Sequence, residues 1–207
     1  MNQGYVLIVE DVPDILRLLA ETLKFKGYRA VTARNGQEAL EAVQREHPML
    51  VITDIMMPKL DGFGLVHRLR INPETRDIPV IFLTATYVAL EDKAFALNIG
   101  VTRFIEKPVN FEKFLDTIEE LLAQGAPAAP TLISEAEFYE GYRQRLEKKL
   151  EQKISQIARD ELLVETLPEA EQSTFKASLQ TAITERDELQ RLLDEIQIRM
   201  EGLAKSE

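Results

Sequence analysis

The stretch LVITDIMMPKLDG, Leu50–Gly62, decides how the first half of this chain folds. Leu50–Thr53 is an apolar run of the length of a fully buried strand, and it passes without a turn residue into an acid, Asp54. Pro58 and the pair Asp61-Gly62 then mark a loop and a turn before a helical pattern begins at Gly64–Ile71. The same plan repeats on both sides. Toward the N-terminus, Tyr5–Glu10 (YVLIVE) is another short apolar run ending in acid. Pro13–Lys26 carries Ile15, Leu16, Leu19 and Leu23 at helical spacing, with a proline at its start and Gly27 past its end. Arg29–Ala33 is a weaker strand, and Gly36–Glu46 a helix with Ala39, Leu40 and Val43 on one face. Toward the C-terminus come a strand at Val80–Leu83, a helix at Leu90–Leu97, a short strand at Arg103–Ile105 and a helix at Phe111–Leu122. Five β–α units with apolar strands predict an α/β fold: a doubly wound, five-stranded parallel sheet covered by helices on both faces.

The pattern changes after that. AQGAPAAPT, Ala123–Thr131, is small and uncharged, and Pro127 and Pro130 would stop a helix. The expected plan is a first domain over residues 1–124, a linker over 125–132 and a helical segment over 133–207. In that segment Ser134 and Glu137 have capping-box spacing. A helix is expected from about Ser134 to Glu165, a break at Pro168, and a second helix over Glu169–Ala204. In the second, Phe175, Leu179, Ala182, Arg186, Leu189, Leu193, Ile196, Met200 and Leu203 alternate steps of four and three: a heptad seam with one charged interruption. In the first, Tyr139, Tyr142, Leu146, Leu150, Ile154 and Ile157 include consecutive steps of four, which reads as a stutter. A short break between two long amphipathic helices predicts an antiparallel α-helical hairpin or coiled coil.

Composition removes several function classes. The 207 residues contain no Cys and only two His, His47 and His67, so disulfides, thiolate chemistry and His-rich metal sites are excluded. Both histidines read as ordinary surface or half-buried residues, and Met56 and Met57 as loop packing. No apolar run reaches the roughly 20 residues of a membrane span. The N-terminus reads as a first strand rather than a signal peptide, so a cytoplasmic location without membrane contact is expected. Net charge is −10, and both halves are acidic: 14 basic against 18 acidic residues over 1–125, and 11 against 17 over 131–207. Nucleic acid, which rewards dense Lys and Arg, is a poor partner for either half. The second half also has no His, Cys or Gly-rich phosphate loop, so an output enzyme or a phospho-accepting histidine is not expected there.

In a doubly wound sheet, ligands sit outside the carboxyl ends of the strands. The notable residues fall there: Glu10 and Asp11 after the first strand, Asp54 at the third, Thr84 at the fourth and Lys107 after the fifth. Three clustered carboxylates repel one another. A hard divalent cation relieves that repulsion and prefers oxygen ligands. A carboxylate beside such a cation can attack a phosphoryl group, with Lys107 and Thr84 as donors to its oxygens. Asp14 and Asp61 read instead as carboxylates at helix N-termini, and Asp61-Gly62 as a turn.

The stretches LIVED (Leu7–Asp11), TDIMMPKLDG (Thr53–Gly62), FLTA (Phe82–Ala85) and FIEKP (Phe104–Pro108) resemble the response-regulator receiver family of two-component signalling, over about residues 4–124. The resemblance implies a flavodoxin-like fold and a phospho-acceptor at Asp54. It also implies Mg²⁺ (or Mn²⁺) on Asp11, Asp54 and the backbone carbonyl of Met56, with Glu10 acting mainly through water. Lys107 would pair with the phosphoryl group through a cis peptide to Pro108, and Thr84 and Phe104 would form a switch pair. A sensor histidine kinase is the implied partner, and the chain is expected to be a regulator rather than an enzyme. Two positions depart from frequent choices: Glu10 stands where Asp is common, and Phe104 where Tyr is common. Met56 and Thr86 flank the site without charge, so no side chain there is expected to help water attack, and a long-lived phosphorylated state follows. The helical segment reads as an output or dimerisation element. The chain is expected to form a homodimer through that tail or a receiver face, and to act on a further protein whose identity the sequence does not give. The rival reading is a nucleic-acid-binding transcriptional or antitermination regulator.

Overall fold

The computed structural model describes residues 4–84, 90–124, 133–168 and 172–204. Its elements alternate as the hydrophobic pattern requires: β1 (Tyr5–Val9), α1 (Pro13–Phe25), β2 (Arg29–Ala33), α2 (Gly36–Arg45), β3 (Leu50–Asp54), α3 (Gly62–Ile71), β4 (Val80–Thr84), α4 (Leu90–Asn98), β5 (Arg103–Glu106) and α5 (Phe111–Gln124). The strands pair in parallel in the order β2-β1-β3-β4-β5. This is the doubly wound sheet expected from the sequence. Helix α5 runs two residues past the expected Leu122, through Ala123 and Gln124. Both residues favour helix, and the first proline comes only at Pro127. The expected linker, 125–132, lies outside the described residues.

Because side chains alternate along a strand, Val6 and Ile8 of β1 point to one face while Tyr5, Leu7 and Val9 point to the other. The first face packs with Ile52, Ile81 and Leu83 on Leu16, Leu19 and Leu23 of α1 and Phe114 and Ile118 of α5. On the second, the Phe63 ring of α3 meets Phe82 of β4 and Phe95 of α4 at 5.4 Å each. Each fully buried Leu, Ile or Phe stabilises the fold by about 1.5–3 kcal/mol. The helices begin where the sequence supplies caps. Asn35 accepts from the Glu38 amide at 3.0 Å, and Asp61 from the Gly64 amide at 2.9 Å. Asp61-Gly62 is thus the cap and first residue of α3. His67, expected at or near the surface, is buried on α3.

By its internal contacts the chain divides into two compact units, 1–133 and 134–207. The second is α6 (Glu135–Thr166) and α7 (Gln172–Ala204), which pack along each other. Residues 169–171, expected to open the second helix, lie outside the described residues. Ser134 and Glu137 close a full capping box at the start of α6. Two cross-links fix the register. The Ser178 hydroxyl donates to Asp160 at 2.8 Å, and the Lys153 ammonium meets Glu185 at 2.5 Å. Seven residues back along α6 correspond to seven residues forward along α7, so the helices are antiparallel. All nine residues of the expected α7 seam lie on its covered side, but only Ala182 and Ile196 are buried. Of the expected α6 stripe, Tyr139, Tyr142, Leu146 and Ile157 are buried and Leu150 is half-covered. Ile154 is 51 % exposed, whereas Lys149, Lys153, Gln156 and Asp160 are partly covered. Steps of four drift around an α-helix, so the apolar stripe swings aside at Leu150 and Ile154, polar residues share the covered side there, and the step of three to Ile157 brings it back.

Candidate functional site

The three carboxylates converge because β1 and β3 are neighbours in register. Val9 pairs with Thr53, which sets Glu10 and Asp54 side by side one residue further on. One oxygen from each of Glu10, Asp11 and Asp54 lies within 4.8 Å of the others. Glu10 is fully buried; its Oε1 accepts from the Val12 amide at 3.3 Å and its Oε2 from Lys107 Nζ at 2.7 Å. Asp54 is reached by the same ammonium at 3.3 Å through Oδ2, and its Oδ1 accepts from the Ile55 amide at 2.9 Å. Lys107 therefore bridges buried Glu10 and partly exposed Asp54. It is held in place by its own backbone amide, which donates to the Thr84 carbonyl at 2.7 Å, and is followed by a cis peptide to Pro108.

The electrostatics follow from this crowding. Burial raises the Asp54 carboxyl above the usual carboxylate range; Lys107 and the Ile55 amide oppose the shift, and Asp11 adds to it. Burial also raises Glu10, against the Lys107 hydrogen bond and with Asp54 pushing further upward. Burial works against the Lys107 charge, but the hydrogen bond to Glu10 and the charge of Asp54 outweigh it, so the ammonium is held above the ordinary lysine range. One ammonium thus serves Glu10 and Asp54, with Asp11 beside them. An all-oxygen set with surplus negative charge fits a hard divalent cation such as Mg²⁺.

Of the remaining predicted residues, Thr84, Phe104 and Met56 are described. Thr84 is 1 % exposed, and its hydroxyl oxygen has no hydrogen-bond partner among the described residues. Buried polar groups are rarely left so, and a hydroxyl in this position is a donor in waiting. Phe104 is half-buried, its ring edge-on to Phe82 at 6.2 Å. Met56 is 49 % exposed on the loop after β3, and Thr86 lies outside the described residues.

Gly62 is the residue that sequence reasoning read only as part of a turn. A Cβ there would stand 2.5 Å from the Asp54 carbonyl oxygen and 3.0 Å from Ile55 Cα. The Gly62 amide donates to the Ile55 carbonyl at 2.9 Å, and the Gly36 amide to the Leu60 carbonyl at 2.8 Å. The loop that carries Met56 is thereby fastened at both ends. The clue in the sequence was the position of Asp61-Gly62, shortly after the acid and just before a helix.

With the site on the page, the matches to known proteins can be read against it. The model of the response regulator receiver domain matches residues 6–119. The chain belongs to this family. It carries the receiver domain of a two-component response regulator. The receiver is similar to the "Probable transcriptional regulator ycf27" of Cyanophora paradoxa, 40% identical over 122 residues, which cover 59% of this chain and 49% of that protein. It is also similar to a 14.6 kDa protein of Leptolyngbya boryana, 36% identical over 129 residues, covering 62% of this chain and 98% of the relative. Among solved structures, Vibrio cholerae chemotaxis protein CheY4 is 31% identical with a TM-score of 0.54, covering 57% of this chain and 98% of that one. The receiver domain of NtrX from Brucella abortus is 29% identical, also with a TM-score of 0.54, covering 58% and 99%. The chain spans about half the length of the first curated relatives it matches. No helix among the described residues is long and apolar enough to cross a membrane.

Proposed function

We propose that Asp54 accepts a phosphoryl group from the phosphohistidine of a sensor histidine kinase, and that the helical hairpin passes the change on by associating with other protein. The observation that carries the first part is the convergence of Glu10, Asp11 and Asp54 with Lys107 lying across two of them. Asp54 is the acceptor because it is the acid at the strand end that keeps some exposure, while Glu10 is sealed. Its carboxylate oxygen forms the new bond to phosphorus as the bond from phosphorus to the kinase imidazole breaks. Glu10, Asp11, Asp54 and the Met56 carbonyl would hold the metal. When bound, Mg²⁺ (or Mn²⁺) offsets the repulsion among the acids and neutralises charge on the transferring oxygens. Lys107 keeps its hold on Glu10 and turns its remaining donors to one phosphoryl oxygen. The Thr84 hydroxyl donates to another, and Phe104 packs into the space that Thr84 vacates. With Met56 uncharged on the loop after β3, and Thr86, two residues past Thr84 in the sequence, uncharged as well, the acyl phosphate is long-lived; a half-life of seconds in purified protein contradicts this.

The test is labelling by a small phosphodonor such as acetyl phosphate with Mg²⁺. Wild type takes up one phosphoryl group and Asp54→Asn none; undiminished labelling of the variant moves the acceptor elsewhere. A second reading, regulation of transcription by contact with nucleic acid, is favoured by the names of the ycf27 relatives. It requires a basic face, and the chain carries −10 overall with both halves acidic. Salt-sensitive retention of duplex DNA or RNA by the purified chain would revive it.

A further inference from the structure

The turn from β2 into α2, Ala33–Gly36, supplies nothing to the chemistry above, yet it grips both halves of the acid site. The Glu10 amide donates to the Ala33 carbonyl at 3.1 Å, which ties the acid end of β1 to the end of β2. Three residues on, the Gly36 amide donates to the Leu60 carbonyl at 2.8 Å, which ties down the far end of the loop that carries Met56. The stretch between these contacts is stiff. Asn35 is buried, its Oδ1 accepts from the Glu38 amide at 3.0 Å, and the Glu38 carboxylate accepts in return from the Arg34 amide at 2.9 Å. Helix α2 is anchored at its other end too, where the Tyr5 hydroxyl lies 3.1 Å from the Ala42 carbonyl oxygen and 2.7 Å from that of Glu46.

The contact with Leu60 is tight. Gly36 opens α2 without a left-handed backbone, so glycine stands there for room rather than for conformation. A Cβ on it would lie 2.7 Å from the Leu60 carbonyl oxygen, 2.8 Å from Leu60 Cγ and 3.0 Å from Cδ2. What is gripped is itself a bent segment. Lys59 has a φ of 66°, and the Leu60 amide donates back to the Pro58 carbonyl at 2.8 Å. A lysine in that conformation, closed by a bond across one residue, keeps its shape only where its neighbours impose it. Gly36 imposes it from one side and Gly62 from the other.

We propose that Gly36 is a positioning residue for the divalent cation and a determinant of which cation the site takes. By letting α2 close on Leu60, it fixes where the loop after β3 presents the Met56 carbonyl to the acids. The proposal rests on the reading of Glu10, Asp11, Asp54 and that carbonyl as the metal's ligands, and it adds the part that sets their spacing. A methyl group on Gly36 must push the Leu60 carbonyl back by roughly half an ångström to reach van der Waals contact. Anchored α2 does not yield, so the displacement falls on the loop. It is as large as the difference between Mg–O and Ca–O bond lengths. Mg²⁺ demands near-ideal octahedral geometry, whereas Ca²⁺ accepts irregular sets of oxygens at longer range, so Mg²⁺ loses most.

The test is calorimetric titration of the full chain with Mg²⁺ and with Ca²⁺, read as the ratio of the two affinities. In Gly36→Ala the expected loss is about tenfold for Mg²⁺ and below about threefold for Ca²⁺. Thr75→Val is the comparison for stability alone. It removes a buried hydroxyl that donates to the Leu69 carbonyl at 2.8 Å, between α3 and β4 at the amino end of the strands. That variant is expected to lower the urea midpoint and leave the ratio unchanged. An unmoved ratio in folded Gly36→Ala, or an equal shift in Thr75→Val, overturns the proposal. Should Gly36→Ala not fold, Leu60→Ala thins the same contact without a clash, and an unmoved ratio there overturns it as well. Wild type that binds neither cation overturns the metal reading and the proposal with it. Wild type that binds Mg²⁺ beside a variant with the same ratio removes the clamp and leaves the metal reading standing.

Discussion

The strand ends and the middle of the hairpin both bring charged side chains together, with opposite results. In the hairpin the two cross-links that set the register join complementary groups, Lys153 to Glu185 and Ser178 to Asp160, on partly exposed surface. At the strand ends three acids converge with one lysine lying across two of them, and those two are pushed toward their neutral forms by burial. The first arrangement is what helix registry needs. The second destabilises the fold that contains it unless something else arrives. Frustrated charge, more than charge as such, separates a site from a structural contact.

That contrast can be broken from several directions. Gly62→Ala attacks the backbone support of the acid cluster. Its Cβ would meet backbone atoms that have no room to move, and a loss on the order of 3 kcal/mol is expected in urea unfolding. An unchanged midpoint would mean that the loop after β3 yields freely. Lys107→Ala removes the one cation and leaves Glu10 and Asp54 unopposed. A destabilisation of about 2 kcal/mol is expected in metal-free buffer, smaller with millimolar Mg²⁺; equal losses in both buffers would argue against a cation on these acids.

Asp54→Asn should act in the other direction. A carboxyl raised by burial favours the folded state only while protonated, and that contribution is lost as pH rises through the folded-state value. The amide lacks this penalty, so the variant is expected to be more stable than wild type by about 1 kcal/mol at pH 8. The gain should shrink toward pH 4, read from thermal unfolding across that range. A gain that grew toward acid would reverse the assignment. The smallest effect belongs to the hairpin: a double-mutant cycle on Lys153→Ala and Glu185→Ala should give a coupling below about 1 kcal/mol. A larger value would mean that the pair is more enclosed than in a single hairpin.

The sheet was legible because apolar runs such as YVLIV and VIFLT leave few alternatives, and its strand ends named Glu10, Asp11, Asp54, Thr84 and Lys107. Three things were not legible. That Lys107 bridges Glu10 and Asp54 depends on distances set by two strands that sequence cannot register. The demand on Gly62 comes from a backbone that approaches from the end of β3. The third is that Lys149, Lys153 and Asp160 share the covered side of α6 with its apolar stripe: the steps of four swing Leu150 and Ile154 aside, and these long or polar side chains cover the line of contact there through their stems and cross-links.

The length of α6 has a mechanical consequence. An uninterrupted helix of 32 residues, braced along its side by α7, is a stiff rod about 48 Å long. A change of direction at Ser134 of only about 5° carries the turn at Pro168 through about 4 Å, the scale of a side-chain contact made or lost. The hairpin is in effect a pointer, able to convert an angular change too small to repack a core into a displacement large enough for another surface to read.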